Sequence, residues 1–185
     1  QPIKGTVRRS GILKDDVAAM DQLRENKKER AENIMIVDLV RNDLSHFAEK
    51  GSVMVEELCG IYPFATVSHM ISTVLATLKD KNKSVQALEK AFPMGSMTGA
   101  PKIRAMQLIE EAEDFKRGIY SGACGYFCPS GDFDFNVVIR SIVWNASSGF
   151  LSFATGSAVT AAANGTFEYN ECMLKAEAMK SVLTS

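Results

Sequence analysis

The amino-acid sequence predicts an α+β fold of antiparallel sheets with flanking helices, and three observations carry that prediction. The chain has 185 residues, 46% of them hydrophobic, enough to bury a real core. Its first half is dominated by apolar residues at helical spacing. Its second half holds three alternating runs parted by the turn sequences SGD and ASSG, which read as an antiparallel meander.

Taken in order, residues 1–12 (QPIKGTVRRSGI) hold two glycines, a proline and alternating apolar residues, and suit an extended entry segment. From Asp15 or Asp16, both good N-caps, a polar helix is expected to run through DQLRENKKERAEN and continue into IMIVDLVRNDLSHF. In that second stretch Ile36, Val40, Leu44 and Phe47 keep helical spacing while Asp38, Arg41 and Asn42 point away, which marks the buried face. SVMVEEL (52–58) alternates like a strand, whereas ATVSHMISTVLATL (65–78) and SVQALEKAF (84–92) read as amphipathic helices. PMGSMTGAPK (93–102) is a glycine-rich loop whose Pro101 suits the first turn of a helix KIRAMQLIEEAEDF. After RGIYSG come the strands ACGYFCP, DFNVVIRSIVWN and FLSFATGS, and a last helix occupies about residues 167–183. No internal repeat or low-complexity tract appears, so residues 1–185 read as one folded unit without linkers.

Composition excludes several classes. Lysine and arginine (21) nearly cancel aspartate and glutamate (22), so no bulk polyanion-binding surface is encoded and nucleic acid is not an expected partner. The longest stretch without charge, between Arg140 and Glu168, is rich in Ser, Thr, Gly and Asn rather than aliphatics, so no membrane span is expected. Four cysteines, Cys59, Cys124, Cys128 and Cys172, form no Cys-x-x-Cys pair and read as buried small hydrophobes in a reduced, cytoplasmic setting. The chain opens on Gln1 with no signal peptide and no initiator Met, and is expected to be part of something longer.

Several groups can carry chemistry. The loop 95–101 presents backbone N–H groups where a helix begins, with Lys102 next, and can hold a small anion such as a carboxylate; an ordinary glycine-rich connection explains it equally well. It is not a phosphate-binding P-loop, because Gly-x-x-x-x-Gly-Lys-Ser/Thr is missing. Glu-x-x-Glu occurs at 29/32, 110/113 and 168/171; i, i+3 carboxylates share a helix face and two such pairs would suit Mg²⁺, but spacing alone does not choose among them and a solvated helix face is by itself the better explanation of each. Lys175, one turn on from Glu171, suits a surface ion pair. Lys4 lies between Ile3 and Gly5, an apolar, flexible setting that can desolvate an ammonium toward a nucleophile, although most lysines do nothing of the sort. His69 falls on the apolar run VSHMIST, where a histidine is more often structural.

Taken together, PIKGT (2–6), ERAENIMIVDLVRNDL (29–44), VSHMIS (67–72), FPMGSMTGAPKIRAM (92–106), RGIYSGACGY (117–126), DFNVVIRS (134–141) and EYNECMLKA (168–176) closely resemble the chorismate-utilising enzymes. That family includes the anthranilate, isochorismate and salicylate synthases and the enzymes that aminate chorismate at C4. The resemblance runs in order over nearly the whole chain and implies the anthranilate synthase-like, chorismate-binding fold. It implies that residues 1–185 form the C-terminal portion of a single chorismate-binding catalytic domain, because the family's Ser-Pro-Glu segment, with its glutamate general acid, precedes PIKGT in longer relatives.

The lysine of PIKGT marks the 4-aminating branch, that of p-aminobenzoate and folate biosynthesis; the anthranilate-forming enzymes, the alternative, usually carry alanine there. The resemblance implies Lys4 as a nucleophile toward chorismate and His69 as the active-site histidine near the ring. It implies Mg²⁺ held by Glu29, Glu32, Glu168 and Glu171, Glu32 and Glu171 foremost, and leaves Glu110 and Glu113 as surface charge. Ser96, Thr98, Gly99, Lys102, Tyr120, Arg140, Gly156, Ala158 and Lys175 fall at positions lining the chorismate site, with Arg140 and Tyr120 suited to the enolpyruvyl carboxylate. Ammonia would come from a glutamine amidotransferase, for which the chain holds no Cys-His constellation of its own. ATGSAVTAAA (154–163) departs from the family pattern: Ala158 replaces a glycine that approaches substrate, and Ala162 an aspartate. A non-catalytic piece that binds ligand or amidotransferase is the reading that this departure favours.

Overall fold

Alternating residues from Ile3 to Arg8 form strand β1, which opens the computed structural model of the protein; residues 1–80, 83–161 and 163–184 are described. Helix α1 (Leu13–Glu25) follows, then α2 (Lys27–Ser45), β2 (Met54–Pro63), β3 (Val67–Leu75), α3 (Ser84–Ala91), a 3₁₀ turn (Gly95–Met97) and α4 (Lys102–Ala112). Next come β4 (Ala123–Phe127), β5 (Phe133–Val137), β6 (Ile142–Trp144), β7 (Leu151–Phe153) and α5 (Gly165–Thr184). The chain divides into two compact units, Gln1–Glu113 and Asp114–Ser185. Helices with small antiparallel sheets are the α+β architecture that the sequence predicts.

The first unit is built on a three-stranded antiparallel sheet in the order β1-β3-β2. Its core joins Leu23 of α1, Cys59 of β2 and the wholly buried Met70 of β3, with Val7 and Ile61 packed against them. Each such side chain removed from water contributes about 2 kcal/mol. The expected single long helix is two: Asn26 closes α1 by donating its backbone N–H to Leu23 O and opens α2 by accepting from the N–H groups of Lys28 and Glu29 at 3.0 and 3.2 Å. Asp15 and Asp16 lie in the first turn of α1 rather than at its N-cap, which is Ile12. On α2, Ile36 is buried and Asp38, Arg41 and Asn42 are exposed, as the spacing predicts.

The run at 65–78 forms β3, not a helix. Val67, Met70, Ile71 and Val74 do stand at helical spacing, which misleads because polar residues are assumed to face water. Here Ser68 and Ser72 are wholly buried beside Met70, a period of two that the β-branched Val67, Ile71, Thr73 and Val74 favour. Pro101 is the N-cap of α4 rather than a first-turn residue, and that helix stops at Ala112 instead of continuing to Phe115.

In the second unit, the expected strand DFNVVIRSIVWN is broken at residues 138–141, where Arg140 has φ 52°. Two separate hairpins result, β4-β5 and β6-β7, in place of a three-stranded meander. Phe127, Phe133 and Phe135 cluster on the first, with ring centroids 5.1 to 6.2 Å apart. Asn145 turns the second by accepting from the N–H groups of Ser147 and Ser148. Of the four cysteines only Cys59 is buried; Cys124 is exposed, Cys128 and Cys172 half-buried, and all four are free. No helix among the described residues is long and apolar enough to cross a membrane.

Candidate active site

Lys4 stands in a bulge of β1. Ile3 pairs with Ile71 and Thr6 with His69, leaving Lys4 and Gly5 outside the regular register. Gly5, at φ 92°, makes this possible: a Cβ there would lie 3.1 to 3.3 Å from Leu23 Cδ1, Met70 Cβ and Glu29 Cβ. The strand therefore approaches α2 closely, and the half-buried Lys4 Nζ comes within 4.0 Å of Glu32 Oε2. Lys28 Nζ lies 3.9 Å from the other oxygen of Glu32. Of the sequence-predicted residues in this unit, Lys4, Glu29 and Glu32 are thus brought together.

His69 lies on strand β3 rather than on a helix. Its Nδ1 is 2.9 Å from Thr6 Oγ1, the donor being set by the tautomer, and its ring packs tilted by 59° against that of Phe64, with centroids 5.3 Å apart. The loop with Ser96, Thr98 and Gly99 rests on α2, since a Cβ on Gly95 would lie 2.9 Å from Leu39 Cβ. Thr98 Oγ1 donates to Gly95 O, and Ser96 is exposed. Lys102 does not turn its ammonium toward the loop's N–H groups: Nζ donates to Asp43 Oδ1 at 2.9 Å and to Ala91 O at 3.3 Å.

In the second unit the segment 155–157 lies along α5. Thr155 Oγ1 donates to Cys172 O, Ser157 Oγ to Glu168, and Lys175 Nζ to Gly156 O at 3.0 Å while pairing with Glu171 Oε1 at 2.5 Å. The Tyr120 hydroxyl lies where a Cβ on Gly156 would be 2.8 Å away, so only glycine fits there without a shift. Tyr120, Gly156, Glu168, Glu171 and Lys175 are therefore grouped. Arg140 and Ala158 are exposed, and Ala158 has no positive φ, so its methyl imposes no backbone strain. Ala162 lies outside the described residues.

Glu29 and Glu32 belong to one unit, Glu168 and Glu171 to the other. Within either unit, no three His, Cys, Asp or Glu side chains of the described residues converge as a metal cage. The donor chemistry nonetheless fits a hard cation, because each pair supplies two carboxylates and Mg²⁺ takes few protein ligands beside water and substrate oxygens.

Sequence reasoning missed two buried polar residues of α2, Asn33 and Asp43. The signal was present, since both flank the apolar stripe of Ile36, Val40 and Leu44 and so had to face inward. Asp43 anchors Lys102. Asn33 donates to Met70 O and accepts from Ser72.

The family model of chorismate binding enzymes matches residues 1–181. The chain belongs to that family. It is 45% identical over 183 residues to an aminodeoxychorismate synthase of Streptomyces griseus, covering 99% of this chain and 25% of the relative. Aminodeoxychorismate synthase component 1 of Bacillus subtilis is 39% identical, again over 99% of this chain and 38% of the relative. Among solved structures, anthranilate synthase component I from Streptococcus pneumoniae superposes with a TM-score of 0.81 at 34% identity, covering 96% of this chain and 41% of that one. The chain thus spans well under half the length of these members of the chorismate-binding family, and its α+β architecture is theirs.

Proposed function

We propose that the protein bearing this chain aminates chorismate at C4 to give 4-amino-4-deoxychorismate, in the cytoplasm, with Lys4 as covalent nucleophile. One observation carries the reading: the lysine of PIKGT sits in a strand bulge with its amine beside Glu32 of the Glu-x-x-Glu pair. Two relatives named aminodeoxychorismate synthase support it.

In this reading the neutral Lys4 amine bonds to C2 of chorismate, both conjugated ring double bonds shift by one position toward C4, and the C4–O bond breaks, the hydroxyl leaving as water with one proton. Ammonia then bonds to C4 as the C2–Nζ bond breaks, and loss of one proton restores the amine; the sum is chorismate plus ammonia to product plus water. His69, oriented by Thr6, faces the ring. Glu29, Glu32, Glu168 and Glu171 would hold Mg²⁺, which supplies charge neutralisation and orientation of the ring carboxylate. Arg140 and Tyr120 grip the enolpyruvyl carboxylate, and Ser96, Thr98, Gly99, Gly156, Ala158 and Lys175 shape the site. Lys102 lines the site in this reading too, its ammonium positioned by Asp43 and Ala91 O. Ammonia comes from a glutamine amidotransferase partner; the Bacillus subtilis relative is named as component 1.

The test incubates the full-length protein with chorismate, Mg²⁺ and ammonium and separates the products. The 4-amino compound is expected; anthranilate, which the Streptococcus pneumoniae likeness favours as second reading, would overturn the branch. Lys4→Ala should lower kcat/KM for the 4-amino product by roughly 10³-fold or more.

A further inference from the structure

Lys4 is held from two sides by consecutive residues of α2. Glu32 meets its amine; Asn33 meets its main chain. Lys4 falls in the bulge, outside the regular β1-β3 register. Asn33 Nδ2 reaches the strand at that point, donating to Lys4 O at 3.5 Å and to Met70 O at 3.3 Å.

The carboxamide is fixed in one orientation. Ser72 Oγ accepts from the Cys59 N–H at 2.8 Å, so its own hydrogen goes to Asn33 Oδ1 at 2.5 Å. Oδ1 also receives the Cys59 thiol at 3.8 Å. Nδ2 therefore faces two carbonyls, which only accept. Ser72 N–H in turn donates to Pro2 O at 3.0 Å, so the clamp grips the strand on both sides of Ile3. Asn33 and Ser72 are both 0% exposed, where an unmet polar group is costly and a satisfied network rigid.

The geometry points to Asn33 as a positioning residue whose buried carboxamide locks the β1 bulge and so sets where the Lys4 amine stands. It deepens the reading of Lys4 as nucleophile and rests on it for its catalytic meaning, although the clamp itself is testable without turnover.

The experiment is competitive acetylation of the full-length protein, resolved by mass spectrometry as the ratio of Lys4 to the exposed Lys14 across a pH series. Asn33→Ala should raise that ratio roughly threefold or more, the equivalent of one lost hydrogen bond. The near-isosteric Asn33→Asp, which loses both donors to the carbonyls, should do the same and carries the test if Asn33→Ala does not fold. Ser68→Ala, at a wholly buried serine of β3 whose hydroxyl bonds nothing among the described residues, leaves the Asn33 network intact and should hold the ratio within about twofold. A wild-type ratio in the folded Asn33 variants, or an equal shift in Ser68→Ala, would overturn the proposal. If Lys4→Ala still made the 4-amino product while the acetylation shift appeared, the nucleophile reading would fail and the clamp would stand.

Discussion

Buried charges with specific partners decide most of what single residues do here. Asp16 is 2% exposed; burial pushes its carboxyl up, but bonds from Ser10 N–H at 2.7 Å, Arg9 Nε at 3.0 Å and the Ser10 hydroxyl together hold it below its ordinary value. A depressed carboxylate adds stability that is complete above the unfolded value, about 3.9, and is lost as pH falls through the lower folded value. Urea midpoints measured from about pH 5 downward should therefore drop in the wild type, and Asp16→Asn should lack that part of the drop. Asp43 and Lys102 form a nearly buried pair, 9% and 17% exposed at their side chains. Asp43→Ala should cost about 3 kcal/mol by urea denaturation, because the ammonium is left without its countercharge. Neither pair was legible beforehand: the sequence shows a carboxylate's presence, but only the tertiary fold shows which cation it meets.

At the scale of elements, legibility followed how cleanly polarity reports burial. α3 and α5 appear where the spacing puts them, as do the turns of both hairpins, while β2 (Met54–Pro63) runs past the end of the alternating stretch 52–58. β3 was misread because its inward polar residues are serines that find partners or packing inside, which inverts the assumption behind a helical pattern. The break between β5 and β6 was hidden because apolar residues continue through Val138 and Ile139. The end of α1 at Asn26 was hidden too, since strong helix formers flank it on both sides. Its capping role gives a direct test: Asn26→Ala should destabilise the protein by about 1 kcal/mol, read as a shift in the urea midpoint with unchanged slope.

At the scale of the whole molecule, the family and its motif blocks were legible because long ordered matches over nearly the entire chain do not arise by accident, and the family model covers residues 1–181. The division at Glu113–Asp114 was not, because no glycine, proline or serine-rich stretch marks it. Most buried residues among those described lie in the first unit; the second holds Ser121, Ala176 and Met179. Native-state amide exchange should accordingly be slowest in β3, whose Met70 is wholly buried, and faster throughout β4 to β7. The dual role of Asn26 also bears on how chain length can vary. In one continuous helix an added or deleted residue turns everything downstream by about 100°. With α2 started afresh by its own cap, such an indel in α1 is absorbed before Lys27, and the rotational phase of Glu29, Glu32 and Asn33 against the bulge is preserved.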